Sequence, residues 1–183
     1  MRQKFEFYIL SLFLLFLLLF INKVPFHFGA DYEIVNWKIL FTNYPLVVIS
    51  LICMTLGFIF YYRFNYKFEK GATLLPVTVT HVENINYESV TFLATYIVPL
   101  ACIDLDKDRS SLMLVTIIIL IGWIYIKTNL FYTNPTLAIW GYHIYKVSTS
   151  NRTDITIIVR GKVAVGSSIL LKNIDDKIYL AKL

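Results

Sequence analysis

The sequence predicts an α-helical integral membrane protein with four transmembrane helices and a small cytoplasmic β-rich domain. That domain would be built from the C-terminal strands plus a strand from the loop between spans 2 and 3. Three observations predict this class. The chain is 57% hydrophobic and only 16% charged, against about 45–50% and about 25% for a soluble domain, and the excess is gathered in four blocks. Lys and Arg fall mainly on one side of those blocks. After Gly141 the long apolar runs give way to short β-branched stretches separated by turn residues. An ordinary soluble globule is excluded.

A bilayer core of about 30 Å needs about 20 mostly apolar residues in a helix. The first block, Phe7 to Ile21, follows Arg2 and Lys4. A signal peptide would also begin this way, but its cleavage site needs small residues at −3 and −1, and Phe28 in Phe28-Gly29-Ala30 does not fit. A retained span over residues 5–24 is the better reading. Asn22 to Asn43 is a polar-aromatic loop. The second span, residues 44–62, carries no charge and has Pro45 in its first turn, where a missing N–H costs nothing.

Arg63 to Tyr87 opens with Arg63, Lys67 and Lys70 and reads as a polar segment. Within it Leu75 to Val82 alternates apolar and polar residues, the period of a strand, with Pro76 placing it at an edge or near the strand's start. The third span, residues 87–103, is short and contains Pro99; a kinked or re-entrant segment is the alternative. A charged turn through Asp104 to Arg109 joins it to the fourth span, residues 111–132, so the two helices must be antiparallel. Lys127 can run its stem along lipid and leave its ammonium at the boundary, and Trp123, Tyr125, Phe131, Tyr132 and Trp140 suit that depth.

Asn134 as cap and Pro135 at the first position predict a short helix over 135–140. Tyr142 to Val147 suits either its continuation or a strand. Ile155 to Val159, Ile169 to Ile174 and Lys177 to Lys182 read as strands, with a turn at Asp175-Asp176. The division is therefore a transmembrane domain, 1–141, and a cytoplasmic β-rich domain, 142–183. The latter has 42 residues, near the lower limit for an independent core. It is expected to borrow the strand at Leu75 to Val82 or to pack on neighbouring subunits.

With four crossings and the N-terminus inside, thirteen of the seventeen Lys and Arg residues are inside and four outside. The positive-inside rule then predicts a multi-pass protein with both termini cytoplasmic.

Little chemistry is visible. Cys53 and Cys102 sit in apolar blocks without metal-type spacing. His27, His81 and His143 are isolated. His81-Val82-Glu83 lacks the Cys-x-x-Cys half of a zinc deaminase signature. Gly161-Lys162 lacks the remainder of a phosphate loop, and Gly166-Ser-Ser is not a nucleophile elbow. No catalytic residue, cofactor or metal is expected, and the scattered positive charge of the tail predicts no direct nucleic-acid binding. The candidate outer sensing loop comprises Asp104, Asp106, Lys107, Asp108 and Arg109. The candidate partner-binding residues are Arg160, Lys162, Lys172, Asp175, Asp176, Lys177 and Tyr179. Membrane lipid is the remaining partner.

The order of these features resembles a known family. The specific patterns are Tyr125-Ile-Lys-Thr-Asn-Leu-Phe-Tyr-Thr-Asn-Pro-Thr-Leu-Ala138, then Gly141-Tyr-His-Ile-Tyr-Lys-Val147 and Asp175-Asp-Lys-Ile-Tyr-Leu-Ala181, preceded by Thr95-Tyr-Ile-Val-Pro99 in the third span. They resemble KwaA, the membrane subunit of the Kiwa anti-phage defence system. The resemblance implies a four-span inner-membrane homotetramer with a soluble, DNA-binding cytoplasmic effector of the KwaB type, and a role in detecting infection at the envelope. It implies no catalytic residues. The function it suggests is a non-enzymatic sensor and scaffold; a small oligomeric channel or pore is the alternative.

Overall fold

A computed structural model describes residues 2–24, 45–69, 76–102 and 108–183. The first apolar block forms two helices, α1 (Arg2–Ser11) and α2 (Phe13–Lys23), bent by 40° at Leu12. Ser11 Oγ donates to the Tyr8 carbonyl at 2.7 Å, the carbonyl that also accepts from Leu12 N–H. A side-chain hydroxyl competing for a backbone acceptor bends a helix in this way.

The second block forms α3 (Pro45–Glu69), longer than the expected span. Arg63 and Lys67 belong to its last turns and not to a loop. The reason is tertiary: Phe64 and Phe68 are one helical turn apart, and both meet the Tyr142 ring edge-on, with centroids 5.2 and 5.4 Å away. Two further helices follow, α4 (Tyr87–Cys102) and α5 (Asp108–Lys127), then a 3₁₀ turn (Leu130–Tyr132) and α6 (Pro135–Ile139).

Two helices are long and apolar enough to cross a membrane, over Pro45–Phe68 and Arg109–Lys127. The bent α1–α2 pair makes a third if it is one span. Of the expected four spans, two or three are thus met by length and composition among the described residues. Helix α4 has 16 residues, roughly 24 Å of rise and less than the bilayer core. Residues 103–107, where it would continue, lie outside the described residues.

Helix packing centres on α1 and α2. Two glycines receive their aromatic side chains. A Cβ on Gly57 of α3 would stand 3.0 Å from the Phe13 ring, and one on Gly122 of α5 would stand 2.6 Å from the Tyr8 ring. The Tyr8 hydroxyl donates to the Ile118 carbonyl of α5.

Five strands close a barrel: β1 (Val77–Asn84), β2 (Tyr142–Thr149), β3 (Arg152–Arg160), β4 (Ser168–Asp175) and β5 (Ile178–Lys182), in the order β1-β2-β3-β5-β4. Only β3 and β5 are parallel; β1 pairs antiparallel with both β2 and β4. This is the topology of an OB-type Greek-key barrel, with α4, α5 and α6 inserted between its first two strands. Gly141, at φ +80°, makes the left-handed turn from α6 into β2, a conformation glycine adopts without steric cost. The barrel interior holds Val79, Tyr145, Val147, Ile157, Val159, Ile169, Leu171 and Tyr179. Outward-facing Ile158 and Leu180 are also buried, against the helices. Strands β3 and β5 therefore have apolar residues on both faces, which is why Ile155-Thr-Ile-Ile-Val159 is not a clean alternation.

Candidate functional site at the barrel–helix junction

The strongest concentration of long-range polar contacts lies where the barrel meets the start of α1 and the end of α3. Lys4 Nζ ion-pairs with Asp175 Oδ2 at 2.6 Å and donates to the Asn129 side chain just after α5. One ammonium thereby ties the N-terminal helix, the end of α5 and the barrel together. Hydrogen bonding from Lys4, the larger cause, and its positive charge hold the Asp175 carboxyl below the usual carboxylate range, against a smaller upward push from desolvation. Tyr142 on β2 donates its hydroxyl to Asn65 Oδ1 on α3 at 3.0 Å. Lys172 on β4 donates to the Lys67 carbonyl at 2.9 Å, a favourable cation at a helix C-terminus. Glu6 on α1 pairs with Arg63 at 3.3 Å and lies 3.9 Å from Lys67.

Two asparagines brace this junction. Asn134 is fully buried. Its Oδ1 accepts from Thr136 and Leu137 N–H at 3.0 and 3.3 Å, capping α6, and its Nδ2 donates to the Phe7 carbonyl of α1 at 3.1 Å. Asn86, before α4, accepts from Ile144 N–H at 2.7 Å and stands 3.2 Å from His143 Nδ1. His143 thus has a partner within the fold.

The candidate partner-binding residues fall into three groups. Lys172 and Asp175 face the helices and are engaged there. Asp176 and Lys177 are exposed at the turn between β4 and β5, and Arg160 and Lys162 are exposed at the end of β3. Tyr179 is buried inside the barrel; its hydroxyl donates to the Asp176 carbonyl at 3.2 Å, and the Arg152 guanidinium lies 4.9 Å from its ring centroid. Arg160 lies 5.9 Å from the ring of Tyr142. Of the candidate outer loop, Asp104, Asp106 and Lys107 lie outside the described residues, Asp108 begins α5, and Arg109 is exposed. Most of Asn22 to Asn43 also lies outside them. The sequence reading did not single out Lys4, Glu6, Asn65 or Tyr142, and the only local signal among the bracing residues was the Asn134-Pro135 cap.

Among the described residues, no cluster of three His, Cys, Asp or Glu could hold a metal ion. The arrangement is that of a helical assembly with membrane-length apolar segments, joined by polar contacts to an OB-type barrel. The description "Anti-phage protein KwaA" belongs to the family model that matches residues 3–180, so the chain belongs to the KwaA family. It is 31% identical over 179 residues to Kiwa protein KwaA of Escherichia coli O55:H7 (strain RM12579 / EPEC), covering 97% of this chain and 89% of that protein. No solved structure matches it.

Proposed function

We propose that the chain is a non-enzymatic membrane sensor and scaffold of a two-component anti-phage defence system. In this reading it crosses the bacterial inner membrane four times, has both termini in the cytoplasm and assembles as a homotetramer. Its apolar helices register infection at the envelope, and its barrel recruits or controls a soluble DNA-binding effector of the KwaB type. The observation that carries the reading is the junction. The start of α1 and the end of α3 both grip the barrel through Lys4–Asp175, Tyr142–Asn65 and Lys172–Lys67. A displacement of either helix is therefore passed to the barrel through directional contacts. A signal of this kind needs two states with different energies of contact.

The barrel offers the effector its exposed charged turns, Arg160 to Lys162 and Asp176 to Lys177. The division into a transmembrane part, 1–141, and a cytoplasmic part, 142–183, follows from the same reading, with β1 contributed by the former. The experiment is co-sedimentation of the effector with membranes of cells making the full chain or a chain ending at Gly141. The full chain is expected to bring the effector into the membrane fraction, and the shortened chain to insert without doing so. Effector retained by the shortened chain would overturn the role given to the barrel.

A further inference from the structure

An open cavity lies between α1, α3 and β4. Its walls change character along their length. At one end are Leu10, Phe60 and Phe64; at the other are Glu6, Lys67 and Lys172. From Phe60 to Lys67 the helix rises roughly 10 Å. One interfacial layer of a bilayer is about 5–7 Å deep. On the reading of α3 as a membrane span, the apolar end faces acyl chains and the polar end lies at the headgroups.

The charges at the polar end do not cancel. Lys67 and Lys172 line it with one carboxylate, Glu6, which is held from outside the lining by Arg63 at 3.3 Å and lies 3.9 Å from Lys67. Lys172 is fixed by donating one of its three N–H groups to the Lys67 carbonyl. The lining thus carries a surplus of one positive charge in a site with an ordered framework. We propose that this cavity binds an anionic phospholipid of the inner leaflet, with its phosphate between Lys67 and Lys172 and its first acyl carbons against Leu10, Phe60 and Phe64. Because the cavity lies between helix and barrel, the bound lipid stiffens the junction that couples them.

The proposal rests on the membrane reading above, and the test separates the two. Carbonate extraction of cells comes first. Release of the chain by carbonate would overturn the membrane reading and this site with it. The full chain is then purified in dodecyl maltoside and offered equal amounts of phosphatidylglycerol and phosphatidylcholine with identical acyl chains. Native mass spectrometry reads the lipid retained. The expected result is preferential retention of phosphatidylglycerol. Removing the Lys172 charge should lower that preference about fivefold, and reversing the Lys67 charge should lower it further.

The variants are Lys172→Gln and Lys67→Glu. Lys67 is partly exposed at the end of α3, so its variant carries the test if Lys172→Gln fails to fold. A chain that stays in the membrane but retains both lipids equally would overturn the site alone, as would an unchanged preference in Lys67→Glu. Full displacement of the lipid by millimolar glycerol 3-phosphate would overturn the assignment to a lipid. So would a lipid-free cavity closed by a second copy of the chain, seen as a cross-link between copies through Lys67.

Discussion

The first helical segment and α5 are both long and predominantly apolar, yet their surroundings are opposite. In the first segment, Leu10, Leu12, Leu15 and Leu19 are at most 4% exposed. On α5, Leu112, Ile119, Leu120, Trp123 and Ile124 stand between 56% and 69% exposed. The first segment is the centre on which other elements pack, receiving α3 on Gly57 and α5 on Gly122. Helix α5 uses one stripe, Leu114, Ile118, Ile121, Gly122 and Tyr125, for the interior and presents the opposite face outward. Apolar composition alone therefore does not distinguish a helix enclosed by protein from one whose face is left for lipid or a neighbouring subunit.

The widest separation is expected from matched truncations. Leu15→Ala should cost about 2–5 kcal/mol, as for other buried leucines, and Leu120→Ala less than about 0.5 kcal/mol. Thermal unfolding of the two variants in the same micelle checks this, and equal losses would break the comparison. Overpacking sharpens it next. Gly122→Ala places a methyl group within 2.6 Å of the Tyr8 ring and should cost about 1–3 kcal/mol, measured in the same way.

Asn134→Ala should follow, at about 1–2 kcal/mol for the lost cap. It also removes the bond to the Phe7 carbonyl, so protection of the α6 amides from hydrogen exchange should fall.

The smallest effect belongs to Lys4 and Asp175. The Asp175 pKa is lowered on folding, chiefly by its hydrogen bond to Lys4. Its stabilising contribution is present above the unfolded carboxylate value, about 3.9, and is lost as pH falls through the lower folded value. Asp175→Asn should cost no more than about 1 kcal/mol at neutral pH, since the pair is partly exposed. The gap between variant and parent should narrow in acid. A gap independent of pH would show that the ion pair is not its source.

Much of the local structure was legible because local chemistry decides it. Asn134-Pro135 specifies the start of α6 by capping and by the fixed proline φ. The β-branched runs specify the last strands, and the turn expected at Asp175-Asp176 falls one residue later, at Asp176-Lys177. The alternation from Leu75 to Val82 corresponds to β1. The parallel pairing of β3 with β5, the order of the barrel and the length of α3 were not legible. Each depends on distant residues: Phe64 and Phe68 remain helical among Arg63 and Lys67 because Tyr142 packs on them. The site was less legible still. Lys172 and Asp175 were visible as charged tail residues, but not that they face helices. Lys4 and Glu6 look like ordinary terminal charges until the fold brings the tail to them.

The central claim is a membrane component that acts through a separate effector, and phage plating tests it most directly. Plaques are counted on cells carrying this chain with its KwaB-type effector, and on cells carrying each alone. Protection is expected only when both are present. Protection by either component alone, or by no combination with the chain confirmed in the membrane fraction, would contradict the account for the phages plated.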